Sequence, residues 1–283
     1  MRKHAVIVGL NKYKNISRLN GCVNDARFMQ ELATYYNYTN IITLTDEAAT
    51  KANITEALSE VIDAAKGRDR VLYYHSGHGT QKKDTSGDEW DGFDEVLCQY
   101  DFTWADPFLD DDLAVAIKPL KSNCILNVVI DTCNSGTMTD YKKVANRQGH
   151  YKIKTHPMPA KWQEEYLYQT APKRESRKFG VKPAWKDGAQ RHTLLAACRP
   201  SELSAETVFG GKIQGIMTKC IETETQAKWR QRNLSWQAAH VAVKQKALTI
   251  NSGQHAKLEG PVDLLDDKIF GKAHWSWTKN SKR

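Results

Sequence analysis

Short apolar runs alternate with amphipathic stretches through the first half of the chain. His4-Ala-Val-Ile-Val-Gly-Leu10, Val71-Leu-Tyr-Tyr74 and Ile125-Leu-Asn-Val-Val-Ile130 are nearly continuous and rich in β-branched or aromatic residues. Such runs predict strands buried on both faces, hence a parallel sheet covered by helices. Ile41–Thr45 predicts a further strand. Val23, Ala26, Phe28, Met29, Leu32 and Ala33 recur at helical spacing and predict a helix over about 23–36. Leu58, Val61, Ile62 and Ala65 predict a second, opened by Asn53-Ile-Thr-Glu56 as a capping box and stopped by Gly67. The βαβαβ order predicts a doubly wound sheet, with the strand at 4–10 in its centre and right-handed crossovers placing helices on both faces.

The later chain is less regular. Val96–Tyr100 reads as a strand. Leu113, Val115 and Ile117 read as a helix that starts at Asp110–Asp112 and ends at Pro119. Thr193–Cys198 restores a core strand, and helices are expected near 215–224 and 234–247. Beyond them, Gly253, Gly260, Pro261 and Gly271 leave a C-terminal strand and tail.

Composition adds one feature. The net charge of +8 is concentrated between Lys142 and Arg191, where thirteen Lys or Arg meet four Asp or Glu. Residues 141–191 also lack an apolar period and carry Pro157, Pro159, Pro172 and Pro183, so they read as a basic surface insertion in a single domain spanning 1–283. Aromatic residues interleave with that charge at Tyr151, Trp162, Tyr166, Tyr168 and Trp185, which leaves nucleic-acid binding through this segment as an alternative. No run approaches the ~18 apolar residues of a membrane span. The basic then apolar N-terminus is too short for a secretory signal, and the chain is expected in the cytoplasm. Cysteines at 22, 98, 124, 133, 198 and 220 show no CxxC pair and are expected as reduced thiols.

Two of the strands end in loops that carry chemistry. Tyr74-His-Ser-Gly-His-Gly79 follows one, and Asp131-Thr-Cys-Asn-Ser-Gly136 follows another. In open α/β sheets the site lies at the carboxyl ends of the strands, which places His78 and Cys133 on one rim. A thiolate is the attacking form of cysteine, and a neutral imidazole can take the proton of its thiol. Inert packing of either residue alone is the commoner outcome; two complete motifs on neighbouring strand ends argue for chemistry.

These motifs resemble the paired signatures of the metacaspases, whose bacterial members are called orthocaspases. Gly21-Cys-Val-Asn-Asp25, Gly87–Glu95, Leu109-Asp-Asp-Asp112 and Ala196-Ala-Cys-Arg199 extend the likeness in family order. Asn134 stands where eukaryotic members usually carry His. The resemblance implies a caspase-like three-layer α/β/α sandwich around a mostly parallel central sheet. It implies a cysteine endopeptidase with His78 and Cys133 as the dyad, cutting after Arg or Lys. Backbone donors at Gly79 and Cys133 would hold the oxyanion. Cys22, Asp25, Ser76 and Asp131 would form an acidic slot for the basic side chain. Ca2+ would be the activator, at Asp94, Asp110, Asp111 and Asp140. His75 is expected to be structural.

Protein or peptide substrates with Arg or Lys before the cut are therefore expected, with no membrane, nucleic acid as a minor alternative, and a monomer. Self-processing within the basic insertion follows from the same specificity, with Lys142, Lys143, Arg174 and Lys178 as candidate sites. The rival to an enzyme is a catalytically silent scaffold of the same fold.

Overall fold

The computed structural model describes residues 1–85, 92–133, 151–163, 191–199, 202–228 and 234–271. Its first half runs β1 (Lys3–Gly9), α1 (Cys22–Tyr35), β2 (Asn40–Thr45), α2 (Lys51–Ala64) and β3 (Arg70–Ser76). There follow β4 (Gly79–Lys83), β5 (Phe93–Leu97), β6 (Phe108–Leu109), α3 (Asp110–Ile117) and β7 (Ile125–Asp131). The second half adds β8 (Lys152–Ile153), β9 (Arg191–Ala196), β10 (Ala205–Phe209), β11 (Lys212–Gly215), α4 (Ile216–Lys228), α5 (Trp236–Ile250), β12 (Lys257–Glu259) and α6 (Val262–Leu265).

The largest sheet has the order β12-β9-β7-β3-β1-β2. Its pairs are parallel except for β12 against β9. Strand alternation feeds two apolar layers. Ala5 and Ile7 pack on one face with Met29 and Leu32 of α1, Met217 of α4 and Val243 of α5. Val6 and Val8 pack on the other with Ile54, Leu58 and Val61 of α2 and Leu113 of α3. Burial on both faces is what the uninterrupted apolar runs required. The three-layer α/β/α arrangement matches the expected class.

Several local expectations are corrected. The centre of the sheet is β3 and β7, while β1 lies one strand from the edge. Thr50, in extended backbone, caps α2 by accepting the Asn53 N–H at 3.2 Å. Asn53 is already helical and sends its side-chain amide to the Ala48 carbonyl. The strand expected at 96–100 begins earlier, at Phe93, because β4 pairs with it from Lys83↔Phe93 onward. Both late helices run longer than expected. Part of the supposed surface insertion is interior: Lys152–Ile153 form β8, paired with β10, and Lys154 is fully buried.

Close packing fixes the sheet against α1. A Cβ on Gly9 would lie 2.5 Å from the Cys22 carbonyl oxygen and 2.6 Å from the Ala26 Cβ. The six cysteines are free and buried. Among the described residues no helix is long and apolar enough to cross a membrane.

Two expectations about stability follow. Gly9→Ala forces α1 away from the sheet and is expected to cost about 1–3 kcal/mol, read as a lower midpoint in urea unfolding. His75, buried on β3 with its pKa pushed down to about 3 by burial, refuses a proton that the unfolded chain accepts near pH 6.5. Its contribution is complete above about pH 6.5 and is lost as pH falls toward 3. His75→Phe should therefore flatten the fall in unfolding free energy over that window by as much as about 1.4 kcal/mol per pH unit.

Candidate active site

β3 and β7 run in register, with Ser76 opposite Asp131, so the residues that follow leave the sheet at one rim. His78 emerges from β3. Its backbone N–H donates to the Tyr13 hydroxyl at 2.7 Å, and the two rings lie 5.1 Å apart. Nε2 lies 3.0 Å from the Ser17 carbonyl oxygen. A carbonyl only accepts, so Nε2 carries the proton and Nδ1 is the bare nitrogen. Among the described residues Nδ1 has no hydrogen-bond partner. Burial pushes the ring down to about 3, which keeps it neutral. The neutral form with a bare nitrogen is the one a general base needs, and burial disfavours the charge it would gain unless a thiolate forms beside it.

Cys133 emerges from β7 beside it. Its thiol is fully buried and faces Ser204, with Sγ 2.9 Å from the Ser204 carbonyl oxygen and 2.8 Å from its N–H. Sulfur and imidazole are therefore not hydrogen-bonded to each other in this arrangement. Cys198 adjoins Cys133, and that contact, followed by burial, raises the Cys198 thiol well above its usual range. Gly79 makes the approach of the two loops possible. A Cβ there would collide with the Cys133 carbonyl, so only glycine fits.

Next to this pair lies a slot floored by Asp25 and Asp131, both fully buried. Asp25, in the first turn of α1, accepts from Ser76 Oγ at 2.8 Å and from the Gly215 N–H at 3.0 Å. Asp131, the last residue of β7, accepts from Ser204 Oγ at 3.0 Å, Thr218 Oγ1 at 2.6 Å and the Thr218 N–H at 3.1 Å. Cys22 borders the slot, and its Sγ lies 3.9 Å from Glu206 Oε2. The four residues expected in an acidic slot thus do converge. A Cβ at Gly215 would strike the Asp131 carboxylate, so the floor depends on a second glycine.

The chain fills this slot with its own Lys154. Its Nζ sits 3.1 Å from Asp131 Oδ1, 3.2 Å from Asp25 Oδ2 and 2.9 Å from Ser76 Oγ. Burial opposes the ammonium charge, but the surrounding groups, Asp131 foremost, hold its pKa well above the ordinary lysine value. Asp25 is pushed up to about 6 by burial and by Asp131, with Lys154 pulling the other way. The backbone around Lys154 is equally engaged. The Gly79 N–H, at 3.0 Å, and the Cys133 N–H, at 3.2 Å, both donate to its carbonyl oxygen. Its own N–H donates to the Ser204 carbonyl at 3.0 Å. Two N–H donors on one carbonyl, beside a thiol, can stabilise negative charge developing on that oxygen.

Sequence reasoning missed Lys154, Ser204, Gly215, Thr218 and Tyr13. Of these, Lys154 carried no signal beyond being one of thirteen basic residues in its segment. The four self-cleavage candidates, Lys142, Lys143, Arg174 and Lys178, lie outside the described residues, as does Asn134. His75 faces away from this chemistry, its Nδ1 3.1 Å from the Tyr73 hydroxyl. Of the aspartates expected to bind calcium, Asp94 on β5 and Asp110 opening α3 are buried, and Asp111 is half-buried. Pairing of Val96 with Leu109 brings that strand and that helix start together. Asp140 lies outside the described residues. Among the described residues no three His, Cys, Asp or Glu side chains gather to hold a metal ion.

The description of the metacaspase, peptidase C14 domain matches residues 3–142. The chain is 30% identical to metacaspase-3 of Arabidopsis thaliana over 93% of its own length and 71% of that protein. It is 36% identical to metacaspase-1 of Meyerozyma guilliermondii and 37% identical to metacaspase-1 of Cryptococcus neoformans, over 53% of its length in each case. Those matches span only 39% and 35% of the fungal proteins. A crystal structure of a Geobacter sulfurreducens protein superposes with a TM-score of 0.72 at 22% identity, covering 97% of this chain and all of that one. That likeness speaks for the fold. With the rim, the thiol, the bare imidazole nitrogen and a relative matched over most of both lengths, the chain belongs to the metacaspase family of the C14 peptidases.

Proposed function

We propose that the chain is a cysteine endopeptidase that cuts after Lys or Arg, and that its first substrate is its own Lys154–Thr155 bond. The observation that carries this reading is the double seating of Lys154. Its ammonium lies between two buried carboxylates while its carbonyl oxygen takes the N–H groups of Gly79 and Cys133. A basic residue before a scissile bond would have to be held in that way.

The chemistry then runs through this chain's own atoms. The Cys133 thiol turns from Ser204 toward the Lys154 carbonyl carbon and gives its proton to Nδ1 of His78. The thiolate attacks, and the oxygen, now negative, is held by the two N–H donors. The carbon–nitrogen bond breaks as His78 returns the proton to the Thr155 nitrogen. Water, deprotonated by His78, releases the acid and restores the thiol. The contact with Ser204 keeps the thiol off the carbonyl in the resting arrangement.

Charge accounts for the specificity. Two buried carboxylates repel each other and an acidic side chain alike, and a lysine or arginine relieves both. The silent-scaffold reading lacks a reason for the bare Nδ1 and the paired donors. The nucleic-acid reading is weakened because Tyr151 donates to the Ile250 carbonyl and Trp162 packs edge-on against Trp104. We further propose that calcium stimulates the enzyme, held by Asp94, Asp110, Asp111 and Asp140. A hard cation there would neutralise carboxylates beside β4, the strand that starts at the oxyanion donor Gly79.

Three outcomes test these readings. N-terminal sequencing of protein incubated with calcium should find a new terminus at Thr155, absent from Cys133→Ala and Lys154→Gln; fragments arising equally in Cys133→Ala would refute self-cleavage. Asp131→Asn should lower kcat/KM on fluorogenic Lys peptides by about a hundredfold, since it strips one partner from a buried cation; an unchanged rate would remove Asp131 from the specificity slot. Asp110→Asn should abolish stimulation by calcium and weaken calcium binding in calorimetry, whereas retained binding would place the ion elsewhere.

A further inference from the structure

The segment that seats Lys154 continues past it. Thr155 forms a parallel bridge with Gly79, and its hydroxyl donates to the Gly79 carbonyl at 3.1 Å. The His156 N–H donates to the same carbonyl at 3.0 Å. The backbone of residues 154–156 is thus zipped to Gly79 on both sides of the bond that the proposed function cuts. This run follows the cleft by main-chain hydrogen bonds, the mode in which extended peptides bind independently of their sequence.

Side chains then decide what fits. The His156 ring lies against two aromatic residues that belong to the body of the protein. It meets Phe102 nearly edge-on, with centroids 5.7 Å apart and planes at 73°, and Trp104 at 5.7 Å and 32°. Phe102 and Trp104 are themselves fixed edge to face at 5.2 Å. Phe102 is buried, and its carbonyl accepts from the Asn15 amide at 3.0 Å, so the platform is anchored before any peptide reaches it. On the other side of the bond, Ile153 pairs with Ala205 and packs into the apolar layer around Cys133.

From this we infer that Phe102 and Trp104 form a specificity subsite for a planar ring at the second position after the scissile bond. The enzyme would therefore read its substrates on the leaving side as well as at the basic residue. The inference rests on the site reading given under the proposed function. The substrate class it defines is an extended peptide with a branched apolar residue, then Lys or Arg, then a small residue, then a ring-bearing residue. The ring need not be histidine. Edge-to-face and offset contacts favour Phe, Tyr and Trp on the same platform.

The test uses the full-length, self-processed protein with internally quenched peptides. The parent is Tyr-Lys-Ile-Lys-Thr-His-Pro, and its variants carry Phe, Trp, Ala or Gly in place of His. The expected result is a kcat/KM about fivefold to tenfold higher for ring-bearing peptides than for Ala or Gly. In Trp104→Leu that ratio should fall below about twofold. Should Trp104→Leu fail to fold, Phe102→Leu takes its place, and the wild-type ratio decides in any case. Cleavage after Lys at equal rates across the series overturns this inference and leaves the basic specificity standing. If no peptide is cut, including a Lys peptide bearing only a fluorogenic leaving group, both readings fall together.

Discussion

A single lysine ammonium between two buried carboxylates holds the working end of this molecule together. Lys154 balances the charge of Asp25 and Asp131, which are fully buried. Removing either sign from such a cluster leaves an uncompensated buried charge, which costs about 3–5 kcal/mol. The raised pKa of Asp25 expresses the same constraint, because burial and a neighbouring carboxylate both resist its ionisation. The cluster is tolerable only while a cation is present or water can enter. The chain's own Lys154 supplies that cation.

The sheet makes the cluster possible. β3 and β7 are neighbours at its centre, and their register sets Ser76 against Asp131 and sends the histidine loop and the cysteine loop out side by side. α1 brings Asp25 to the same place because Gly9 lets the helix lie close on β1. β11 delivers Gly215, and α4 delivers Thr218. Two glycines, Gly79 and Gly215, stand where any side chain would enter the cleft or its floor. Rigid packing on both faces of the sheet thus positions groups that come from four separate stretches of chain.

The arrangement is also a resting one. The thiol is committed to the Ser204 backbone, and the imidazole lone pair is uncommitted. The Lys154 carbonyl accepts from the N–H groups of Gly79 and Cys133. In the proposed reaction, a rotation of the Cys133 side chain away from Ser204 would precede attack.

Much of this was legible in the residues. Continuous apolar runs gave buried strands, helical spacing gave α1 and α2, and two Gly-bearing loops after strands placed His78 and Cys133 on one rim, whereas the oxyanion donors were implied only by the family resemblance. The pocket aspartates and cysteine came through family motifs rather than through any local pattern. Boundaries slipped where a neighbour decided them, as at Thr50, whose hydroxyl captures the helix start ahead of Asn53, and at Phe93, which β4 recruits into β5. Lys154 could not be singled out. Its partners lie 129 and 23 residues away, and nothing in a proline-bearing basic stretch distinguishes this lysine from the twelve other basic residues there. The sequence by itself determined which faces of which elements are apolar and which reactive groups end which strands, because those depend on periodicity and local chemistry. Only the tertiary structure decided that a segment resembling a solvated insertion enters the cleft, because the burial of its lysine is favoured by carboxylates that folding alone brings together.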